Sequence, residues 1–148
     1  MTPEQKTLVQ ETWRQVVPIA DTAAALFYDR LFEIDPNLRG LFSQTDMREQ
    51  RRKLMQVIGT AVDGLEDLDQ LVPVVTELGR RHKGYGVEDR NYDTVRAALL
   101  WTLEQGLGST WSPAAAEAWG VTYGLLSSVM RDGAKSASQT AASQTAAA

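Results

Sequence analysis

The stretch from Leu71 to Val87, LVPVVTELGRRHKGYGV, holds the only histidine of this 148-residue chain, His82. Leu78 lies four positions before it, Val75 seven and Leu71 eleven. That spacing sets all four on one face of a helix. Thr76, Arg80, Arg81 and Lys83 fall on the opposite side. Gly84 and Gly86 follow at once, a common way for a helix to stop. Imidazole is the commonest metal-binding side chain. A lone histidine in an apolar stripe is more often a hydrogen-bonded core residue, so this stretch alone leaves the choice open.

Other chemistries find less support. The chain has no cysteine, which excludes disulfides, thiolate zinc sites and cysteine-held iron–sulfur clusters. The acidic residues gather at helix starts and in loops, where capping and solvation account for them. There is no GxSxG, GxxxxGK[ST] or GxGxxG motif, so neither a serine hydrolase nor a phosphate cradle is indicated. One histidine cannot complete a zinc site. A metal held here must therefore bring its own equatorial ligands. Haem does so and needs only one axial histidine.

The elements that would position this histidine all have the helical period. Thr2-Pro3-Glu4-Gln5 reads as a capped start, followed by an inward face of Leu8, Val9, Trp13, Val16 and Val17. Pro18 marks a bend, and a second helix begins near Asp21 with Ala24, Tyr28, Leu31 and Phe32 on one side. Asp35-Pro36 caps a short helix ending near Phe42, and Ser43 to Met47 is a loop. A long helix follows, about Arg48 to Leu65, with Leu54, Ile58, Ala61, Val62 and Leu65 as its buried stripe and Gln50 one turn before Leu54. Beyond His82, a helix from about Asn91 to Leu107 turns Tyr92, Val95, Leu99 and Leu103 inward. Ser112-Pro113 opens the last one, with Ala115, Ala118, Trp119, Thr122, Leu125, Leu126 and Val129 inward. Its Gly120 and Gly124 are expected to admit another helix closely. No strand pattern occurs. The reading is an all-α domain over residues 1–133 and a low-complexity Ala/Ser/Gln/Thr tail over 134–148, which carries no chemistry.

A formal net charge of −4 and scattered basic residues argue against nucleic-acid binding. Arg51-Arg52-Lys53 and Arg80-Arg81 read by default as solvated helix faces. The N-terminus lacks the pattern of a secretory signal, and no apolar run approaches the length of a membrane span. A soluble, cytoplasmic protein is expected.

Four segments carry a specific resemblance: FYDRLFEIDPNLRGLF, RKLMQVIGTAVDGLEDL, LGRRHKGYGV and AEAWGVTYG. Over about Met1 to Arg131 the chain resembles the globins, in particular the neuroglobin-like branch of single-domain bacterial globins. The resemblance implies a globin fold, a helical sandwich around a pocket for heme b (Fe-protoporphyrin IX). It implies that His82 is the proximal iron ligand and that Phe42 packs on the haem face. Tyr28 and Gln50 become the distal polar pair that stabilises a bound gas, with Leu54 beside it. Leu78, Tyr85 and Val87 complete the cofactor-binding set, and Lys53, Arg81 and Lys83 are candidates to pair with the propionates. Read without the resemblance, Tyr28 is a core tyrosine and Gln50 a surface residue.

One departure stands out. Vertebrate neuroglobin has a distal histidine that also binds iron; here Gln50 takes that place and no second histidine exists. The resemblance thus implies a pentacoordinate iron open to O2, CO and NO, in a monomer that binds, stores or scavenges oxygen. Nitric oxide dioxygenase is the enzymatic alternative. It would need an external reductase, since no flavin-reductase domain follows the globin segment. A gas-sensing module is the third reading.

Overall fold

In a computed structural model, helix α1 (Pro3–Val16) starts on a capping box: Thr2 Oγ1 accepts from the Gln5 N–H, and the Gln5 side chain accepts from the Thr2 N–H. The two residues hold backbone groups that the helix itself leaves unpaired. A 3₁₀ turn around Pro18 leads into α2 (Ala20–Ile34). Asp35 then caps a 3₁₀ helix, Pro36–Phe42, by accepting from the Asn37 N–H. Asp46 caps α3 (Met47–Asp63) in the same way. A single 3₁₀ turn, Gly64–Glu66, joins α3 to α4 (Leu68–Gly84), so these two helices form the arms of one hairpin. Helices α5 (Asp89–Leu107) and α6 (Pro113–Ala147) complete the chain. The structure describes residues 1–84 and 86–147, and side chains only as far as Lys135. Among the described residues there is no strand, and no helix is long and apolar enough to cross a membrane.

The described core has two parts. The larger one joins α1 to α6 and the hairpin, through Val9, Trp13, Val62, Leu71, Val75, Leu103 and Trp119. Within it Trp119 Nε1 donates to Thr12 Oγ1 at 2.8 Å, and Thr12 donates in turn to the Leu8 carbonyl. The smaller part gathers Phe27, Tyr28, Leu31 and Phe32 of α2 with Leu38 and Ala98. Helix α2 packs chiefly on α5, α3 packs on α2 and α1, and α4 packs on α6. The two arms of the hairpin are thus drawn toward different partners.

That division corrects several expectations. Of the stripe expected to be buried on α3, only Val62 and Leu65 are; Leu54, Ile58 and Ala61 are half-buried. Neighbours cover α3 on the side of α1 and α2, and its hairpin partner α4 is committed to α6. Val17 is 54% exposed, because the 3₁₀ turn it enters advances each residue further around the axis than an α-helix does. Leu125 is 38% exposed, at the margin of the α6 face that follows Ala118 and Thr122. Helix α5 starts at Asp89, ahead of Asn91, because Asn91 itself caps the start by accepting from the Glu88 N–H at 2.7 Å.

The glycines that bring helices together are not the expected ones. A Cβ at Gly124 would meet nothing within 4 Å, and one at Gly120 only the end of the Arg96 side chain. The close crossing is that of α4 on α6. There a Cβ on Gly79 would lie 2.0 Å from the Met130 carbonyl oxygen, and one on Gly133 would lie 2.2 Å from that of Thr76. Thr76, assigned by spacing to the outer side of α4, therefore backs onto α6. Gly133 marks the change in composition, but the helical backbone continues to Ala147. The expected tail lies outside the described side chains from residue 136 onward.

Candidate functional site

His82 stands one residue inside the last turn of α4. Its Nδ1 lies 2.7 Å from the Leu78 carbonyl oxygen, one helical turn back. A carbonyl only accepts, so Nδ1 carries the proton and the neutral ring has its lone pair on Nε2. Burial pushes the imidazole below the ordinary histidine range, and the hydrogen bond to Leu78 opposes that only in part. The local fold therefore presents a neutral imidazole in a fixed tautomer, the form that ligates a metal. The Val87 N–H donates to the His82 carbonyl at 3.1 Å, which folds the segment after α4 back beneath the histidine. Val87 is half-buried there, and Gly86 makes the turn at φ 88°, a left-handed conformation that suits glycine.

A second group forms on α2, the 3₁₀ helix and α3. Tyr28 is 5% exposed, and its hydroxyl accepts a hydrogen bond from Gln50 Nε2 at 3.1 Å. Burial raises the phenol above its ordinary range, while the Gln50 bond works the other way, so Tyr28 keeps its proton. The bond from Gln50 occupies a lone pair of the phenol, not its O–H. Phe42 meets the Tyr28 ring edge-on at 5.6 Å and the Phe32 ring at the same distance. Phe42 and Leu54 both pack against the smaller core. Tyr28, Phe42, Gln50 and Leu54 thus come together beside α3.

The segments next to the two groups approach each other at the open end of the hairpin. A Cβ on Gly86, just past α4, would sit 3.5 Å from Leu41 Cδ2, just ahead of α3. Apolar side chains on both arms are left incompletely covered: Leu54 and Ile58 on α3 and Leu78 on α4 are half-buried, while Val57 and Val74 are 40% and 55% exposed. Incompletely covered apolar side chains on both arms, with an imidazole on α4 and a phenol–amide pair bridging α2 and α3, suit a flat apolar cofactor with one axial ligand.

The charged candidates are less firmly placed. Lys53 is exposed and makes no ion pair among the described residues. Arg81 Nε lies 3.7 Å from Glu77 Oε1, so it would have to share or leave that carboxylate to meet a propionate. Lys83 is exposed. Tyr85 lies outside the described residues.

Sequence reasoning missed a clamp behind the histidine. Tyr123 donates its O–H to the Tyr92 carbonyl at 2.5 Å, and the Arg131 guanidinium lies 4.8 Å from the centre of the Tyr92 ring. Arg131 also reaches the Asp89 carbonyl at 3.3 Å and the Asp93 carboxylate at 3.7 Å. Together they hold the first turn of α5, and with it the segment returning from His82, onto α6. No local pattern announces contacts between residues 31 to 42 positions apart.

Comparison with known proteins identifies the fold and the family. The chain is 29% identical to the neuroglobin of Danio rerio over 146 residues, covering 90% of this chain and 92% of that one. It is 30% identical to the flavohemoprotein of Bacillus subtilis (strain 168) over 129 residues, 83% of this chain but only 32% of that protein's length. Its fold matches that of a hexacoordinated heme protein from an anhydrobiotic tardigrade with a TM-score of 0.84 at 16% identity, over 91% of this chain and 96% of the other. The family profile described as Globin matches residues 25–130. With its helices arranged in that fold and most of its length within that match, the chain belongs to the globin family.

Proposed function

We propose that this chain binds heme b through His82 and takes up O2, CO or NO reversibly at a pentacoordinate iron, serving to bind, store or scavenge oxygen. Ferrous haem supplies the open coordination position at which diatomic gases bind. The rest is the work of the chain. His82 offers Nε2 from a tautomer held by Leu78. Phe42, Leu54, Leu78 and Val87 supply apolar contacts that keep water from the macrocycle, and Lys53 and Arg81 are the proposed partners of its propionates. Tyr28 and Gln50 donate to a ligand that gains negative charge. The observation that carries the reading is the bond at 3.1 Å between the half-buried Gln50 amide and the buried Tyr28 phenol.

A hydrogen bond involving charge contributes ~1.5–3 kcal/mol, so each donor is expected to slow oxygen release about tenfold or more. Stopped-flow measurement of O2 dissociation from wild type, Tyr28→Phe and Gln50→Leu tests this. Faster release from both variants is expected, with CO release less affected. Equal rates in all three, or no Soret band after hemin is added, would remove the basis of the reading. The chain has one histidine, so hexacoordination by a second imidazole of the same chain cannot occur. The proposal includes a bacterial, cytoplasmic monomer of the neuroglobin-like branch.

Similarity to a flavohemoprotein favours a second reading, nitric oxide dioxygenase served by an external reductase. Sustained nitrate formation with a reductase, against a single turnover without one, separates the two.

A further inference from the structure

The charges of this acidic chain are segregated. Residues 48–53 and 77–83, on the two arms of the hairpin, hold seven basic side chains and two acidic ones, a net of +5. The remainder holds eight basic and seventeen acidic, a net of −9. Two heme b propionates would lower the first figure only to about +3, taking one negative charge for each ionised carboxylate. Ion pairing within the arms does not cancel it. Arg52 pairs with Glu49, and Arg80 and Arg81 share Glu77, but Arg48, Arg51, Lys53 and Lys83 form no ion pair among the described residues.

The fold gathers these charges in one place. They lie toward the ends of α3 and α4 away from the connecting turn, and the Leu41–Gly86 approach brings those ends together. Apolar surface lies among them: Leu41 is 38% exposed, and Val57, one turn beyond Lys53, is 40% exposed. Basic side chains gathered at one end of the hairpin beside exposed apolar ones, on an otherwise acidic molecule, steer and orient a partner of opposite charge.

We infer that the open end of the α3–α4 hairpin docks an acidic, one-electron donor protein of the ferredoxin or flavodoxin class, so that reductant reaches the exposed edge of the cofactor. The inference rests on the gas-binding reading, which requires ferrous iron. Each encounter passes one electron from the reduced donor to ferric iron, leaving the donor oxidised and the iron ferrous. No other bond changes. The net of −9 over the rest of the surface repels the same donor from unproductive orientations.

The test uses the haem-loaded protein and an acidic plant-type ferredoxin as probe. Dissociation constants are measured by calorimetry, and reduction rates by stopped flow, at low and physiological salt. Affinity is expected to fall about tenfold or more as the Debye length shrinks from ~30 Å to ~8 Å. The variant Arg48→Glu/Arg52→Glu/Arg80→Glu is expected to bind the probe at least about tenfold more weakly. A control with the same change in net charge, Arg14→Glu/Arg96→Glu/Lys135→Glu, is expected to shift affinity less than about twofold, given that charges beyond a Debye length are screened. An unchanged Soret band in both variants shows that the fold survives. Equal losses in the two variants, affinity indifferent to salt, or tighter binding to phosphatidylserine vesicles than to the ferredoxin would overturn the inference. If these outcomes occur while O2 still binds, docking alone fails; if hemin gives no Soret band, the gas-binding reading fails first.

Discussion

At the scale of single residues, the site depends on polar atoms buried with their partners. Gln50 donates to Tyr28 across two helices, and His82 Nδ1 bonds to its own helix, so the fold itself orients these side chains. The same logic holds in the core. Replacing Thr12 by Val leaves Trp119 Nε1 buried without its acceptor, which is expected to cost about 1–3 kcal/mol in urea denaturation. Burial also raises the Tyr28, Tyr92 and Tyr123 phenols above their ordinary range, in each case chiefly by desolvation. The unfolded chain therefore loses these protons first as pH rises. Their contribution is fully present below the unfolded value of about 10 and declines above it. Urea midpoints are expected to fall from pH about 9 to about 11, and less steeply in Tyr123→Phe.

At the scale of elements, the crossing of α4 and α6 sets where His82 stands. Gly79 and Gly133 allow it because each faces backbone of the other helix, which cannot rotate away. Gly79→Ala is expected to cost more than about 2 kcal/mol, at the upper part of the overpacking range or beyond it. Gly124→Ala, with open space around it inside a helix, is expected to be neutral or to stabilise by up to about 1 kcal/mol. Thermal unfolding of the two variants checks the pair. Equal effects would mean that α4 and α6 do not meet as described.

At the scale of the whole molecule, the arms of the hairpin pack on different partners and leave apolar side chains on each arm incompletely covered. Binding of hemin is expected to stabilise the fold by mass action, about 4 kcal/mol when free hemin exceeds its dissociation constant a thousandfold. Thermal melts of the apoprotein with increasing hemin should show the rise, and His82→Ala should lose most of it. A variant stabilised as much as wild type would mean that another residue holds the iron.

The helical period, the Thr2, Asp35 and Ser112 caps, and the spacing of His82 from Leu78 were legible in the chain because they depend on neighbours within a turn or two. Family resemblance added Tyr28, Phe42, Gln50 and Leu54 as a set, which periodicity alone would have assigned to core and surface. Only the tertiary structure decided which face of α3 stays open, which glycines admit a helix, and that Tyr123 and Arg131 brace the segment behind His82. It also brought two basic stretches, each read along the chain as a solvated helix face, to one end of the hairpin. Those outcomes depend on which element packs against which, and contacts between residues tens of positions apart leave no periodic trace along the chain.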